Sequence, residues 1–572
     1  MRNVDYKWIA LSNTTLGTLM AGLDGTIVLI ALPAIFRGIG VNPLEPAEIG
    51  YMLWMLLGFM VVTAVFLVTF GRISDMYGRV RLYNAGFAIF TLGSILLSLV
   101  GGHGNGAALE LILFRLVQGV GAGFLFSNSA AILVDAFPAN ERGMALGVNQ
   151  IAAVGGSLIG LVMGGILATI NWHWIFLVNV PIGLFGTVWA YLMLKEKGSI
   201  QKGQRLDLAG NATFAIGLTV LLLGITYALL PYGSSPMGWR NPEVIAALGG
   251  GVVLLAVFAW VETRVPQPMF RLTLFKSRPF WAGNLSGFLA SLARGGLQFM
   301  LVIWLQGIWL PLHGYSFEQT PLWSGIYMIP MMVGFSIMGP VSGHLSDRYG
   351  ARGFATTGMG VTAVAFVALM ALPANFTYPI FAVILLFMGF GMGMFAAPNT
   401  ASIMNAVPKG DRGAASGMRA TLQNAATMFS MGVFFTIVTI GLASHLPAAM
   451  FSGLTGAGLP AAIAHQLANL PPTSALFAAF LGYNPMATLV PASVLATLPA
   501  AGRAALLGTT FFPGLISPPF MAGLRDAFLI SAAMAVIAGL ASVMRGGAYI
   551  HRDAEDEDAP GAAEAATEAM QP

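Results

Sequence analysis

The sequence predicts an all-α, multi-pass membrane protein built as two related six-helix bundles with two further helices between them. Three observations carry this expectation. Of 572 residues, 57% are hydrophobic and 9% charged, whereas soluble domains carry roughly a quarter charged residues. Crossing about 30 Å of hydrocarbon takes some 20 apolar residues, and the chain supplies fourteen such runs. The segment GRISDMYGRVR at 71–81 returns as GHLSDRYGAR at 343–352, each between two of these runs. A turn repeated in equivalent surroundings is the mark of a duplicated bundle.

Taken in order, the spans are expected near 9–36, 50–70, 82–101, 108–134, 143–168, 174–194, 208–230, 243–262, 280–310, 322–342, 354–372, 379–404, 414–441 and 526–544. Residues 1–195 then form an N-terminal six-helix bundle, 196–279 a linker with two extra transmembrane helices, and 280–545 a C-terminal six-helix bundle. The second bundle includes a long outer-face insertion at about 442–525, where apolar patches such as ALFAAFLGYNPM and FFPGLISPPF are broken by Pro. No clean span fits there, so short helices or re-entrant pieces on the outer membrane face are expected. They either cap a cavity exit or are structural only. Residues 546–572 read as a disordered acidic cytoplasmic tail.

Charge sets the orientation. Residues 553–572 hold seven of the 23 acidic residues and no Lys or Arg, leaving 16 acids against 27 bases elsewhere. With a cytoplasmic N-terminus, twenty Lys/Arg fall in cytoplasmic segments, three inside spans (Arg115, Arg294, Arg419) and four outside (Arg37, Arg240, Arg503, Arg525). Lys and Arg favour the cytoplasmic side, so both termini are expected there, in a plasma or inner membrane. The first span starts at Arg2 and Lys7 but is too long for a signal-peptide apolar region, so it is expected to stay in the protein. With no Cys and seven scattered His, the chain offers no disulfide, thiolate metal site or zinc spacing. No phosphate-binding loop, nucleophile constellation or soluble domain points to an enzyme or to ATP-driven pumping.

The duplication extends beyond the turn. RLVQGVGAGFLFSNSAAILVDAFPANERG at 115–143 is answered by LLFMGFGMGMFAAPNTASIMNAVPKGDRG at 385–413, so Gly119, Gly121, Gly123, Pro138, Arg142 and Gly143 recur as Gly389, Gly391, Gly393, Pro408, Arg412 and Gly413. In the turns, Gly71 and Gly78, like Gly343 and Gly350, allow tight backbone approach. Asp75 and its counterpart Asp347 are placed to accept hydrogen bonds from a neighbouring helix N-terminus, and Arg79 to reach an acid on that helix. The turn is thus either a latch that closes one state or a solvated loop whose bases set topology. Gly156, Gly160 and Gly164 repeat every four residues, as a helix-packing ridge does.

The chemistry is expected where the symmetry fails. Asp24 is the one carboxylate expected near the bilayer midplane, where a charge costs roughly 2.5–3.5 kcal/mol. A carboxyl alternately buried and wetted, or alternately paired, can load and release a proton; the alternative is a permanently paired structural Asp. Arg115 lies about two turns into the fourth span, and its counterpart is Leu385, so a coupled pair or relay with Asp24 is expected. Arg294 stands deep in the ninth span with Gln298 and Gln306 following, and Gln118 lies in the fourth. These four residues, Arg294, Gln298, Gln306 and Gln118, are the expected polar lining of a substrate cavity. Arg294 could bind an anionic or carbonyl-bearing substrate, pair with Asp24 across the halves, or serve helix packing.

The turn signature, the Arg-x-x-Gln-Gly-x-Gly of span four, the Gly-rich span five followed by WHWIFLVNVPIG, and LDGTIVLIALP in span one together resemble the fourteen-span drug:proton antiporter family of the major facilitator superfamily. The resemblance covers nearly all of residues 1–440. It implies the major facilitator fold and export of lipophilic or amphiphilic small molecules driven by the proton gradient. It also implies a proton-coupling role for Asp24, no cofactor, and no nucleic-acid partner. The chain departs from the family pattern at Leu161 after Gly160, at Leu29 and at His173. Leu161 stands where exporters usually have Pro, which keeps an uptake carrier or a lipid or metabolite exporter of the same fold in view. A non-transporting receptor is the third class, and a monomer is expected to suffice for function.

Overall fold

The computed structural model describes residues 5–41, 46–138, 141–197, 207–233, 235, 237–266, 268, 270–408, 411–480 and 484–546. The acidic tail lies outside the described residues. Fourteen helices are long and apolar enough to cross a membrane. The first six are α1 (Tyr6–Ile39), α2 (Pro46–Tyr77), α3 (Arg79–Ser98), α4 (Gly104–Ala136), α5 (Arg142–Ile170) and α6 (Trp174–Met193). The inserted pair is α7 (Leu208–Ala228) and α8 (Pro242–Glu262). The second bundle comprises α9 (Arg278–Leu312), α10 (Thr320–Tyr349), α11 (Ala351–Ala371), α12 (Tyr378–Asn405), α13 (Arg412–Gly456) and α14 (Phe511–Val543).

Glycine decides how closely these helices approach. A Cβ at Gly156, Gly160 or Gly164 of α5 would fall 2.1, 2.3 or 2.9 Å from the carbonyl oxygens of Leu19, Leu23 and Ile27 on α1. The ridge therefore brings the two backbones into contact over two turns, as small residues do between membrane helices. The halves meet mainly through α2 with α13 and α5 with α10. Thr421 Oγ1 donates to Ala64 O at 3.0 Å, and a Cβ at Gly147 would lie 3.0 Å from Gly339 O. The inserted pair packs against the same seam: Thr69 Oγ1 donates to Asn211 Oδ1 at 2.5 Å and Trp239 Nε1 to Thr436 Oγ1 at 3.0 Å.

The second bundle departs from expectation in three ways. The ninth span is not one regular helix: α-helix ends at Arg294, turns at Gly295 and Gly296, resumes at Leu297, and passes through a π-helical segment, Ile303–Trp309. Gly295 and Gly296 lie against Thr427, Ser430 and Phe434 of α13, so the break follows close helix contact. Secondly, α13 runs past the expected end to Gly456, and α14 begins at Phe511 with Pro518 and Pro519 inside it. Proline in a membrane helix removes one donor without ending the helix where neighbours cover the freed carbonyls. The outer insertion is therefore confined to the short helices between them. Thirdly, one of these, Pro472–Phe480, does not rest on the outer face, because residues 473–480 are all buried. Phe480 packs on Phe299 and Phe477 on Phe435.

Candidate functional site: a buried charge cluster and a two-sided latch

Asp24 sits midway along α1, between the glycine contacts at Leu23 and Ile27, and is fully buried. Its Oδ2 accepts from Arg115 Nη1 at 2.5 Å; its Oδ1 accepts from Gln118 Nε2 at 2.9 Å and Asn179 Nδ2 at 2.8 Å. Arg115 Nη1 also donates to Gln118 Oε1 at 2.5 Å, and its guanidinium lies 4.5 Å from the Phe59 ring centroid. Gln118 Nε2 donates further to Ser94 Oγ at 2.9 Å. Four helices, α1, α3, α4 and α6, thus converge on one carboxylate. Taking a charge pair out of water is repaid only by good geometry and further hydrogen bonds; Asp24 accepts three, while Arg115 Nε has no partner among the described residues.

The structure brings Asp24 and Arg115 together and corrects one of the four cavity residues. Gln118 does not line a cavity, because both ends of its amide are committed inside the Asp24 cluster. Gln306, within the π-helical segment, donates Nε2 to Phe480 O at 3.1 Å and so secures the buried Pro472–Phe480 helix. It borders a cavity of about 400 Å³ at the end of the molecule opposite the repeated turns, bounded also by Ile30, Arg37, Thr169 and Glu318. Arg294 and Gln298 flank the Gly295–Gly296 break and are half-buried. Among the described residues Arg294 does not pair with Asp24, whose hydrogen-bond donors are Arg115, Gln118 and Asn179 of the first half. Asn179 and Ser94 were missed in the sequence, although Asn179 lies in the quoted WHWIFLVNVPIG segment. A polar amide within an apolar run was the available signal.

The first turn closes onto the other half. Asp75 Oδ1 accepts from Arg79 Nε at 3.0 Å and Nη2 at 2.8 Å, while Oδ2 accepts from Ala414 N, in the first turn of α13, at 2.9 Å. Arg79 Nη1 also pairs with Asp135 at the end of α4, and Asp135 Oδ1 stands 3.6 Å from Arg412 Nη1 across the interface. Gly78, with φ 107°, makes the turn that no side-chain-bearing residue adopts easily. Glu196 accepts from the backbone N–H groups of Arg79 and Val80 at 3.1 and 2.9 Å.

At the symmetry-related place Asn405 stands in α12 where Asp135 stands in α4, and Arg142 Nη1 donates to Asn405 Oδ1 at 3.1 Å. At the second turn Gly343, Asp347 and Gly350 hold the equivalent places, Gly350 with φ 85°, but Ala351 replaces Arg79. The two halves thus differ in placing a carboxylate at 135 and an amide at 405.

Comparison with known proteins agrees with this fold. The family model described as Major Facilitator Superfamily matches residues 14–431. The chain is 29% identical to the riboflavin transporter RibZ of Clostridioides difficile (strain 630) over 75% of this chain and 87% of that protein. It is 25% identical to the tetracenomycin C resistance and export protein of Streptomyces glaucescens over 97% and 93%, and 28% identical to multidrug resistance protein 3 of Bacillus subtilis (strain 168) over 80% and 84%. The proton:xylose symporter XylE bound to 6-bromo-6-deoxy-D-glucose has the same fold, with TM-score 0.54 and 15% identity over 85% of this chain and 96% of that one. With the family model matched from the first span into the thirteenth, this chain belongs to the Major Facilitator Superfamily.

Proposed function

We propose that this transporter exports lipophilic or amphiphilic small molecules across a cell membrane in exchange for protons, by alternating access, as a monomer with both termini in the cytoplasm. The observation that carries the reading is the buried Asp24–Arg115 pair. Protonation of Asp24 cancels its charge and weakens its hold on Arg115. Deprotonation restores it and draws α1 and α4 together. The latch supplies the second half of the cycle. With Asp75 bonded to the start of α13 and Asp135 facing Arg412, the cytoplasmic ends of the halves are held shut. Cargo then exchanges through the opposite end, where the cavity by Arg37 and Glu318 lies. Release of the latch and closure of that outer end gives the inward-facing state.

The names of the relatives support this reading, since they include a multidrug resistance protein and an antibiotic export protein. The resemblance to a riboflavin transporter and the Leu161 departure favour a metabolite carrier as the second reading. One experiment separates them. Accumulation of a chemically diverse compound panel is measured in cells carrying wild type or Asp24→Asn, with and without a proton uncoupler. Export predicts lower accumulation in wild type, abolished by either the uncoupler or the substitution. Higher accumulation in wild type means uptake, and no difference for any compound defeats the proposal.

A further inference from the structure

We propose that the second half carries a binding site for the anionic group of the cargo, a carboxylate or comparable oxyanion, built on Arg419 and Arg294. This rests on the transport reading above and adds the charge of the cargo to it. The first observation is a mismatch of charges. Between residues 280 and 545 the acids are Glu318, Asp347, Asp411 and Asp526. Glu318 lies at the outer cavity, Asp347 and Asp411 belong to the turns at the other end, and Asp526 adjoins Arg525 on the exposed face of α14. Asp411 is already paired with Arg271 at 2.6 Å. No carboxylate of this half reaches the interior between α9, α12 and α13 among the described residues. Three arginines do.

Arg419 of α13 is only 9% exposed. Its Nη1 donates to Gln423 Oε1 at 2.9 Å, and its buried Nε has no partner among the described residues. Gln423 Nε2 and Asn399 Nδ2 lie 3.1 and 3.2 Å from where a Cβ on Gly287 would be. Arg294 follows Gly287 by seven residues, two helical turns, and so shares its face of α9. Below them Arg545, 2% exposed, pairs with Asn399 and leaves Nε and Nη1 without partners among the described residues. Gln423, Arg419, Asn399 and Arg545 thus form a group of guanidinium and amide groups with no negative charge among the described residues, and Arg294 stands two turns further along α9 on the same face. In the first half the buried cation Arg115 has Asp24, although its Nε too has no partner among the described residues.

A buried charge without a counter-ion is costly, and membrane interiors keep one chiefly where it meets a pathway or a ligand. A guanidinium presents a planar fork that fits a carboxylate through two hydrogen bonds. Gln423 is already held by Arg419, and its free amide is a third donor to the same place. The anion of the cargo thus completes the second half as Asp24 completes the first.

The test uses full-length protein in lipid nanodiscs at one pH with no gradient, so it reads head-group preference whether or not the coupling reading holds. The probes are pyrenebutyrate and pyrenebutanol, which share an apolar body and differ in the head group, with binding read by energy transfer from tryptophan against empty nanodiscs. Wild type is expected to bind the carboxylate roughly tenfold or more tightly than the alcohol, the scale of a charge-assisted hydrogen bond. Arg419→Gln and Arg294→Gln remove most of that preference, Arg419→Lys keeps much of it, and Arg525→Gln on the exposed surface leaves it unchanged. Should Arg419→Gln fail to fold, Arg294→Gln and Arg419→Lys carry the test. Equal affinity for the two probes in wild type, or a preference that survives in both glutamine variants, overturns the anion site. Neither result touches the proton-coupling proposal, which stands or falls on Asp24→Asn.

Discussion

Replacing Asp24 by Asn gives a quantitative outcome. Among the described residues the fully or nearly buried acids are Asp24, Asp75, Asp207, Glu262 and Asp411. All but Asp24 stand at helix ends near the repeated turns. One carboxylate within the membrane interior implies one proton per cycle. A pH unit is worth about 1.36 kcal/mol per proton, and a tenfold concentration ratio about 1.4 kcal/mol. With membrane potential clamped to zero, the steady-state ratio of the transported form of the cargo should therefore change about tenfold per pH unit whatever its charge. Asp24→Asn should flatten that slope to zero while still allowing cargo to equilibrate.

The substitution also has a structural cost. Asn has one oxygen, and if it keeps the bonds to Gln118 and Asn179 at Oδ1, its amide faces Arg115. Leaving one partner of a buried pair costs about 3–5 kcal/mol. Asp24→Asn/Arg115→Gln removes both charges and should recover most of the lost melting temperature while remaining uncoupled. Proteoliposomes with imposed pH differences give the slope, and thermal unfolding gives the stability. A slope that persists near tenfold per pH unit in either variant refutes the assignment of the proton to Asp24.

Other expectations concern the clasp and the helix contacts. Asp75→Asn weakens the bond it accepts from Ala414 N across the halves as well as those from Arg79, each charge-assisted bond being worth roughly 1.5–3 kcal/mol, so the turn-bearing ends of the halves should separate more often. Because the chain has no Cys, spin labels at Arg81→Cys and Arg352→Cys, both exposed, would report a longer mean distance, and an unchanged distribution would count against the latch. Asn405→Asp should place a carboxylate where Asp135 stands in the first half, charging the bond that Arg142 Nη1 makes there, raising thermal stability while slowing turnover; faster transport would contradict it. Gly160→Ala puts a Cβ 2.3 Å from Leu23 O and should cost roughly 1–3 kcal/mol through overpacking. Gly249→Ala on α8, where a Cβ meets nothing within 4 Å, should leave the melting temperature unchanged or raised, and equal effects at the two sites would undo the packing argument.

The membrane spans were legible because apolar length is a one-dimensional property: hydrocarbon thickness fixes it, and the inserted pair α7 and α8 stands out by the same rule. The partnership of Asp24 with Arg115 was legible for a related reason, since two opposite charges in one apolar bundle have few other solutions. What stayed hidden depends on phase and direction. Gln118 and Gln306 looked alike in sequence, both amides in apolar helices, yet one serves the carboxylate and the other a carbonyl of the Pro472–Phe480 helix. The π-helical segment at Ile303–Trp309 shifts the helical phase, so spacing from Arg294 does not predict where Gln306 points. The Pro-rich outer segment misled for another reason: Pro447, Pro518 and Pro519 read as breaks but lie inside continuous helices.

The duplication makes every asymmetry interpretable, because each residue has a position in the other half against which to judge it. Arg142 and Arg412 are kept in both halves, yet the residues they meet include an amide, Asn405, in one case and a carboxylate, Asp135, in the other. Rocking requires that no state be too stable, and the network that joins Asp135 to Asp75 and Arg79 is one that other charges can perturb. The interior divides in the same way. Asp24 neutralises Arg115 from within the chain, whereas Arg419 and Arg294 have no acid of their own among the described residues. Anion binding in the second half would remove a charge imbalance, whereas proton binding in the first creates one. An empty second half retains buried positive charge, and a protonated first half exposes Arg115 to the same penalty.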